Sequence, residues 1–145
     1  MLRKERRLAK RSAWERVYQQ GRSWAHPLVI LYTLPVPPPE LRFGVAVGRR
    51  LGGAVVRNRV KRRLRHILRD LEPRVRPGLY AVVTARAPAA TASYAALREG
   101  VERLLQRAGA LRSHEADTAA YAWPDGGARR SDRAPERRAT ADSRG

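Results

Sequence analysis

One segment of this 145-residue chain combines an apolar stripe with a dense run of positive charge. Apolar side chains recur at spacings of 4, 4, 3 and 4 residues from Val56 to Leu71, which predicts one amphipathic helix. The stripe consists of Val56, Val60, Leu64, Ile67 and Leu71. Between Arg49 and Arg65 the sequence holds eight Lys or Arg residues and no acid. Because like charges four residues apart destabilise a helix, this pattern favours a polyanionic partner over a solvated helix face.

The charge of the whole chain points the same way. There are 31 Lys and Arg residues against 13 Asp and Glu, a formal net charge of +18. All of the excess lies in residues 1–112, since residues 113–145 contain six Arg and six acidic residues. Such a charge opposes compaction and self-association unless a polyanion neutralises it. We therefore expect a nucleic acid or an anionic surface as the partner, and the charge argues against a metabolic enzyme.

Other features of the sequence limit its chemistry. It contains no cysteine, so it offers no disulfide, thiolate zinc site or thiol nucleophile. The histidines His26, His66 and His114 are far apart and show no ligand spacing. The longest strongly apolar run, Leu28 to Leu34, is too short to span a bilayer. The basic N-terminus is not followed by the apolar stretch of a secretory signal. We expect a cytoplasmic binding protein without a membrane partner or a small-molecule cofactor.

The composition predicts a domain boundary near residue 112. Residues 113–145 contain no Leu, Ile, Val, Phe or Met, so they cannot bury enough apolar surface to offset the entropy of ordering. We expect this tail to be disordered and electrically neutral. Its only large apolar side chains are Tyr121 and Trp123, which we interpret as isolated aromatics; a short docking motif is the alternative.

The periodicities of residues 1–112 predict an α+β two-layer sandwich with the element order α-β-β-α-β-α. A capping box at Ser12 and Glu15 is expected to begin the first helix, which Gly21 ends. The predicted strands are Leu28–Leu34, Arg42–Gly48 and Leu79–Thr84, and the closing helix is Ser93–Ala108. The second strand alternates bulky residues with Gly44 and Ala46, so one of its faces is bare and allows close approach by another backbone or a ligand.

The residues before and within the basic helix leave two questions open. The Gly52-Gly53 turn allows backbone amides at a helix N-terminus to approach a phosphate, but it is not a Walker motif and can also be only a turn. Asn58, among the cations, offers a donor and an acceptor to a base edge, a sugar hydroxyl or a hydrated metal. Alternatively, it caps the start of the helix.

Residues Ala54–Arg65, with the sequence AVVRNRVKRRLR, closely resemble the signature of the bacterial ribonuclease P protein component. The similarity extends in order and spacing over about residues 6–108: Trp14-x-x-Val17-Tyr18 resembles the first helix of that family, and RFGVAV from Arg42 resembles the strand before the signature. The tail at 113–145 lies outside it.

This resemblance implies a small α/β protein that binds the catalytic RNA of ribonuclease P. The RNA, with Mg²⁺, removes the 5′ leader from precursor tRNA, while the protein binds the leader and supplies no catalytic side chain and no metal motif. The family also implies a left-handed crossover through the basic helix, contrary to the general right-handed rule. The sequence offers no carboxylate cluster, histidine pair or activated nucleophile from which a protein-borne active site would be built.

The resemblance also implies two groups of site residues. The RNA-binding group is Arg49, Arg50, Arg57, Asn58, Arg59, Lys61, Arg62 and Arg65. The group that would line the leader-binding cleft is Trp14, Tyr18 and Tyr32. Aromatic faces suit the second role because they stack on any base, although core packing is an equally good account of Trp14.

Three alternatives make different demands on the structure. A ribosomal or chaperone-like RNA-binding protein would share the α/β layering without any role in cleavage. A DNA-binding protein would need a helix-turn-helix partner just before the basic helix. A stand-alone nuclease would cleave without an RNA subunit.

Overall fold

The computed structural model of the chain describes residues 2–114 and 116–130. Its helices and strands are α1 (Arg11–Gln20), β1 (Arg22–Ala25), β2 (Val29–Pro35), β3 (Leu41–Ala46), α2 (Ala54–Leu71), β4 (Leu79–Ala85) and α3 (Tyr94–Arg107). The α+β class is confirmed. The predicted order lacked β1, so the observed order is α-β-β-β-α-β-α.

The four strands form one mixed sheet in the order β1-β2-β4-β3. The pairs β1–β2 and β2–β4 are antiparallel, whereas β3 and β4 run parallel. Two neighbouring parallel strands need a crossover connection, and α2 lies in it. The left-handed sense of this crossover stays a prediction from the resemblance.

Both faces of the sheet are covered, which corrects the predicted two layers to three. Leu31 on β2 is level with Val83 on β4 and Val45 on β3, and these side chains pack into the core with α2 and α3. The residues one position along, such as Tyr32 and Val82, belong to a second core with α1. Because successive side chains of a strand point to opposite faces, α1 lies across the sheet from α2 and α3.

The contact between α1 and the sheet depends on the bare face of β3. A Cβ atom placed on Gly44 would lie 2.7 Å from the ring of Trp14, so the indole occupies the space that a side chain would need. The predicted close approach to this face is confirmed, and the group that approaches is the protein's own indole. The predicted capping box is wrong: α1 begins at Arg11, its N-cap is Lys10, and no side chain caps it, which leaves Ser12 inside the first turn.

The apolar stripe of α2 is confirmed. Val60, Leu64, Ile67 and Leu71 are fully buried, and the helix follows Gly53 as its N-cap. This stripe holds the basic segment against the sheet and so determines which of its cations reach the surface.

The C-terminal segment differs from the prediction. We expected disorder from residue 113 onward, yet residues 116–130 lie against the domain. The Tyr121 side chain is only 4% exposed. Its hydroxyl donates to Ala108 O at 2.9 Å and lies 2.9 Å from Thr33 Oγ1. A single ring that fills a gap in the core, with its polar group bonded, is enough to fix a segment that has no apolar stripe. Residues 131–145 of the predicted tail lie outside the described residues.

An ion pair also fixes this segment. Both nitrogens at the tip of Arg76 bind Asp117, at 2.7 and 2.8 Å. The Arg76 guanidinium lowers the pKa of that carboxyl to about 2, and burial raises the pKa of Tyr121 to about 12.

Candidate nucleic-acid interface

The exposed cations of the basic segment lie just before α2 and on the outer side of this helix. Arg49 and Arg50 are exposed in a short 3-10 turn, Arg49–Leu51, and Arg62 is exposed on the outer side of the helix. None of these three arginines pairs with a carboxylate among the residues that the structure describes. They form the best-placed group for phosphate contacts, and we call them the exposed arginine group.

The turn that precedes α2 leaves the N-terminus of the helix open. Gly52 has a φ of +136°, a conformation that favours glycine, and a Cβ on Gly53 would meet nothing within 4 Å. The first turn of α2 contains no acidic residue. The free backbone amides of this end, with Arg49 and Arg50 beside them, are groups that can bind an anion.

Asn58 is exposed one turn inside α2. The interpretation of Asn58 as a helix cap is wrong, because Gly53 occupies the N-cap. Its carboxamide therefore lies on the same outer surface as Arg62, four residues further along, where it can contact RNA.

Two other arginines of α2 make hydrogen bonds to the protein's own backbone. Arg59 Nη2 donates to Ala90 O at 3.2 Å, and Arg63 Nη1 donates to Ala92 O at 3.2 Å. Both carbonyls belong to the connection that leads into α3. The sequence placed Arg59 in the RNA-binding group, and the structure gives it this internal partner as well.

The remaining predicted cations lie at four-residue intervals on the flank of α2 opposite to Arg59 and Arg63. They are Arg57, Lys61 and Arg65. Lys61 is only 3% exposed, although its residue type predicted a surface position. Arg57 and Arg65 are half-buried, and the Nε atom of Arg57 is buried without a hydrogen bond among the described residues. The eight cations of the segment are therefore not one uniform surface.

The three predicted cleft aromatics lie together on the other face of the sheet. The Tyr18 and Tyr32 rings meet edge to face at 4.9 Å between centroids, and Trp14 lies 6.2 Å from Tyr18. The exposed fraction is 2% for Trp14, 6% for Tyr18 and 7% for Tyr32. The Trp14 indole N–H donates to Leu8 O at 2.8 Å. Trp14 therefore makes the contacts of a core residue, and the cluster is separated from α2 by the sheet.

The described part of the chain offers neither a metal cluster nor a membrane-spanning helix. Within residues 2–114 and 116–130, no three His, Asp or Glu side chains are close enough together to hold a metal ion. No helix in these two ranges has the length and apolar character needed to cross a membrane.

Comparison with known proteins decides between the alternatives. The model of the Ribonuclease P family matches residues 2–109. The chain belongs to the Ribonuclease P family. The ribonuclease P protein component of Symbiobacterium thermophilum is 48% identical over 111 residues, which cover 76% of this chain and 96% of that protein. The corresponding protein of Geobacillus kaustophilus is 37% identical over 112 residues, covering 77% of this chain and 93% of the relative.

Solved structures show the same fold for this family member. The RNase P protein of Staphylococcus aureus matches with a TM-score of 0.66 and 28% identity, covering 75% of this chain and all of that one. The RNase P protein of Thermotoga maritima matches with a TM-score of 0.64 and 26% identity, over 70% of this chain and 96% of that one. The family resemblance that the sequence predicted is confirmed. The DNA-binding alternative is wrong, because strand β3 stands where a helix-turn-helix partner would be needed.

Proposed function

We propose that this chain is the protein subunit of a ribonuclease P, in which it binds the catalytic RNA and the 5′ leader of precursor tRNA. The observation that carries the proposal is the exposed arginine group, which lies before α2 and on its outer side, inside the region that the family model matches. A polyanion neutralises a cluster of cations that has no carboxylate partners. RNA is the polyanion that we expect a member of this family to bind.

The basic surface has a defined role in this proposal. Arg49, Arg50 and Arg62 neutralise phosphates, while Asn58 adds a neutral donor and acceptor pair. Removing one arginine that binds a phosphate should reduce the salt dependence of binding by about 0.7 on single strands and about 0.9 on duplexes. Arg57, Lys61 and Arg65 would act from the flank of the helix, and Arg59 would shape the surface through its bond to Ala90 O.

The leader would bind along the face of the sheet that α1 covers. Trp14 forms the floor of this region, where it packs on Gly44. Tyr18 and Tyr32 would line the region beside it; both rings are largely buried, and the Tyr18 hydroxyl lies 3.4 Å from Thr84 Oγ1. Aromatic contacts of this kind do not depend on base identity, which suits a leader of variable sequence.

We assign the chemistry of cleavage to the RNA subunit and its Mg²⁺ ions. We propose no protein ligand to Mg²⁺ and no catalytic side chain; among the described residues, no three His, Asp or Glu side chains are close enough together to hold a metal ion. The protein would act in the cytoplasm, where precursor tRNA is processed, and would need no small-molecule cofactor.

Cleavage of precursor tRNA at low Mg²⁺ tests the proposal. Three reactions are compared: the RNA subunit alone, the full-length chain alone, and both together. We expect activity only in the mixture, because the protein neutralises phosphates that otherwise require metal ions. Cleavage by the protein alone would instead indicate a stand-alone nuclease. A mixture no faster than the RNA alone, with equally tight binding to ribosomal RNA, would indicate the ribosomal or chaperone-like alternative.

A further inference from the structure

A cavity of about 340 Å³ opens at the C-terminal end of helix α1. One of its walls comes from the C-terminal segment, which lies beyond the residues that the family model matches. The lining includes Gln19, Gln20, Arg22, Trp123, Arg129 and Arg130. Within the described part of the chain, no carboxylate lines this cavity. Cations, carboxamides and an indole suit a phosphodiester and its base better than they suit a metal ion or an apolar ligand.

The guanidinium of Arg22 is held in place within this cavity. Its Cζ lies 4.6 Å from the centre of the Trp123 ring, and its Nη1 donates to Pro124 O at 3.1 Å and to Gly126 O at 3.5 Å. The Trp123 N–H is itself fixed, since it donates to Thr33 O at 3.2 Å and Thr33 Oγ1 at 3.1 Å. The partners of Arg22 are thus neutral, and its charge remains available to an anion.

Arg129 and Arg130 extend this charge from the other side of the cavity. Both are exposed, and they follow directly on a backbone that is paired with β1. Ser23 and Ala128 exchange two backbone hydrogen bonds, of 2.9 and 2.8 Å. Gly127, with a φ of +77°, lies so close to Trp24 that a Cβ would be 2.6 Å from the ring. The arginine pair is therefore positioned beside α1.

The cavity lies at the end of the proposed leader path. Trp14 contacts Gly44 on β3, at one edge of the sheet, and Tyr18 one turn later contacts Tyr32 on β2. Helix α1 thus crosses the sheet towards β1, and the cavity begins at Gln19, immediately after Tyr18. A single strand that follows α1 out of the proposed cleft would reach the cavity at Gln19 and Gln20.

We propose that the C-terminal segment builds a second RNA-binding site at this cavity, which takes the phosphates of leader nucleotides upstream of those in the cleft. This inference rests on the proposed leader cleft. Arg22, supported by Trp123, would bind one phosphate or stack on a base, and Arg129 and Arg130 would neutralise the phosphates that follow. The site is specific to chains that carry this segment, since the family match ends at residue 109.

Binding of precursor tRNAs whose leaders are lengthened one nucleotide at a time tests the inference. The substrate carries a non-hydrolysable linkage at the cleavage site, and the binder is the holoenzyme reconstituted with full-length chain. We expect two increases in affinity with leader length, one for the cleft and one for the cavity. The double variant R129A/R130A should lose only the second increase, roughly threefold to tenfold, and its salt dependence on long leaders should fall by about 1.4.

The matched control is R98A/R103A, which removes the same charge from α3, across the sheet from α1. Arg98 and Arg103 are ion-paired with Asp70 and Glu99, so their removal should leave both increases in place. A second variant, R22K, keeps the charge but lacks the planar group that lies over Trp123, and it should weaken the second increase alone.

Three results would overturn the inference and leave the proposed function standing. The first is a second increase that R129A/R130A does not alter, and the second is the absence of a second increase in the wild type. The third is an equal reduction of affinity in R129A/R130A at every leader length, which would place the arginines against the RNA subunit or the tRNA body. If the wild type shows no dependence on leader length at all, the proposed leader cleft itself fails.

Discussion

The basic helix α2 and the C-terminal segment both present exposed arginines, but different kinds of contact fix them to the domain. In α2 an apolar stripe holds the helix down, and several arginines are left without a carboxylate partner. In the C-terminal segment there is no stripe, and single contacts fix the chain: Tyr121 in the core, Asp117 on Arg76, and Ala128 on β1. A periodic apolar stripe and a few contacts between residues distant in sequence are thus two ways of fixing exposed arginines at a surface.

The largest effect is expected from removing the anchor of the C-terminal segment. Tyr121→Ala should lower the free energy of unfolding by about 3 kcal/mol, because it deletes a buried aromatic ring. Urea denaturation of the full-length chain measures this decrease. Tyr121→Phe keeps the ring and should lose only about 1 kcal/mol for its hydrogen bonds. Equal stability of all three proteins would show that the segment does not contribute to the fold.

Removal of the exposed arginine group should weaken RNA binding and leave the stability of the protein unchanged. The triple variant R49A/R50A/R62A should bind the RNA subunit on the order of tenfold more weakly at physiological salt, with a salt dependence lower by about 2. Its stability in urea should stay close to that of the wild type, since these side chains have no internal partner. Binding titrations over a range of salt concentrations provide the measurement. An unchanged salt dependence would remove these arginines from the RNA interface.

Two adjacent residues of α2 sharpen the comparison within one helix. Arg63→Ala should cost about 1 kcal/mol of stability, because it breaks the hydrogen bond to Ala92 O, and should change the salt dependence little. Arg62→Ala should change the salt dependence and leave stability unaltered. Both variants remove one positive charge, so each is the control for the other in paired urea and binding titrations. Identical profiles would contradict the division of the helix into binding and structural arginines.

The smallest effect is expected from lowering the pH, which should weaken the docking of the C-terminal segment. The pKa of Asp117 is about 2, below its ordinary value of 3.8, so the ionised carboxyl stabilises the docked segment above about pH 4. This stabilisation should disappear as the pH falls from about 4 towards 2. The difference in acrylamide quenching between the wild type and Trp123→Phe reports the release, with far-UV circular dichroism to show that the domain stays folded. Asp117→Asn should remove the pH dependence in this window; a variant that keeps it would assign the effect to another group.

The sequence predicted those parts of the fold that depend on local periodicity. The stripe of α2 and the cores of strands β2, β3 and β4 follow from residue spacing, and the family follows from the Arg57-Asn58-Arg59 helix in its context. Strand β1 was missed because four residues, Arg22–Ala25, are too few to show an alternation, and their pairing is decided by β2. The placement of α1 on the far face also depends on a distant residue, Gly44, rather than on α1 itself.

The candidate site was predicted less completely for the same reason. Residue type predicted Lys61 at the surface, but its position beside the apolar stripe places it in the interior. Arg22, Trp123, Arg129 and Arg130 were not selected, because the cavity that they share joins residues about a hundred positions apart. The composition of residues 113–145 is that of a disordered tail, and composition contains no information on a gap in the core that one tyrosine fills.

The contact between Thr33 and Tyr121 has a consequence for how the protein is made. Thr33 is fully buried, and the partners of its hydroxyl, Tyr121 and Trp123, lie 88 and 90 positions later in the chain. During synthesis the strand that carries Thr33 leaves the ribosome long before Tyr121 does. The sheet and its helices can therefore assemble before these partners have left the ribosome, and Tyr121 and Trp123 then fill the remaining gap.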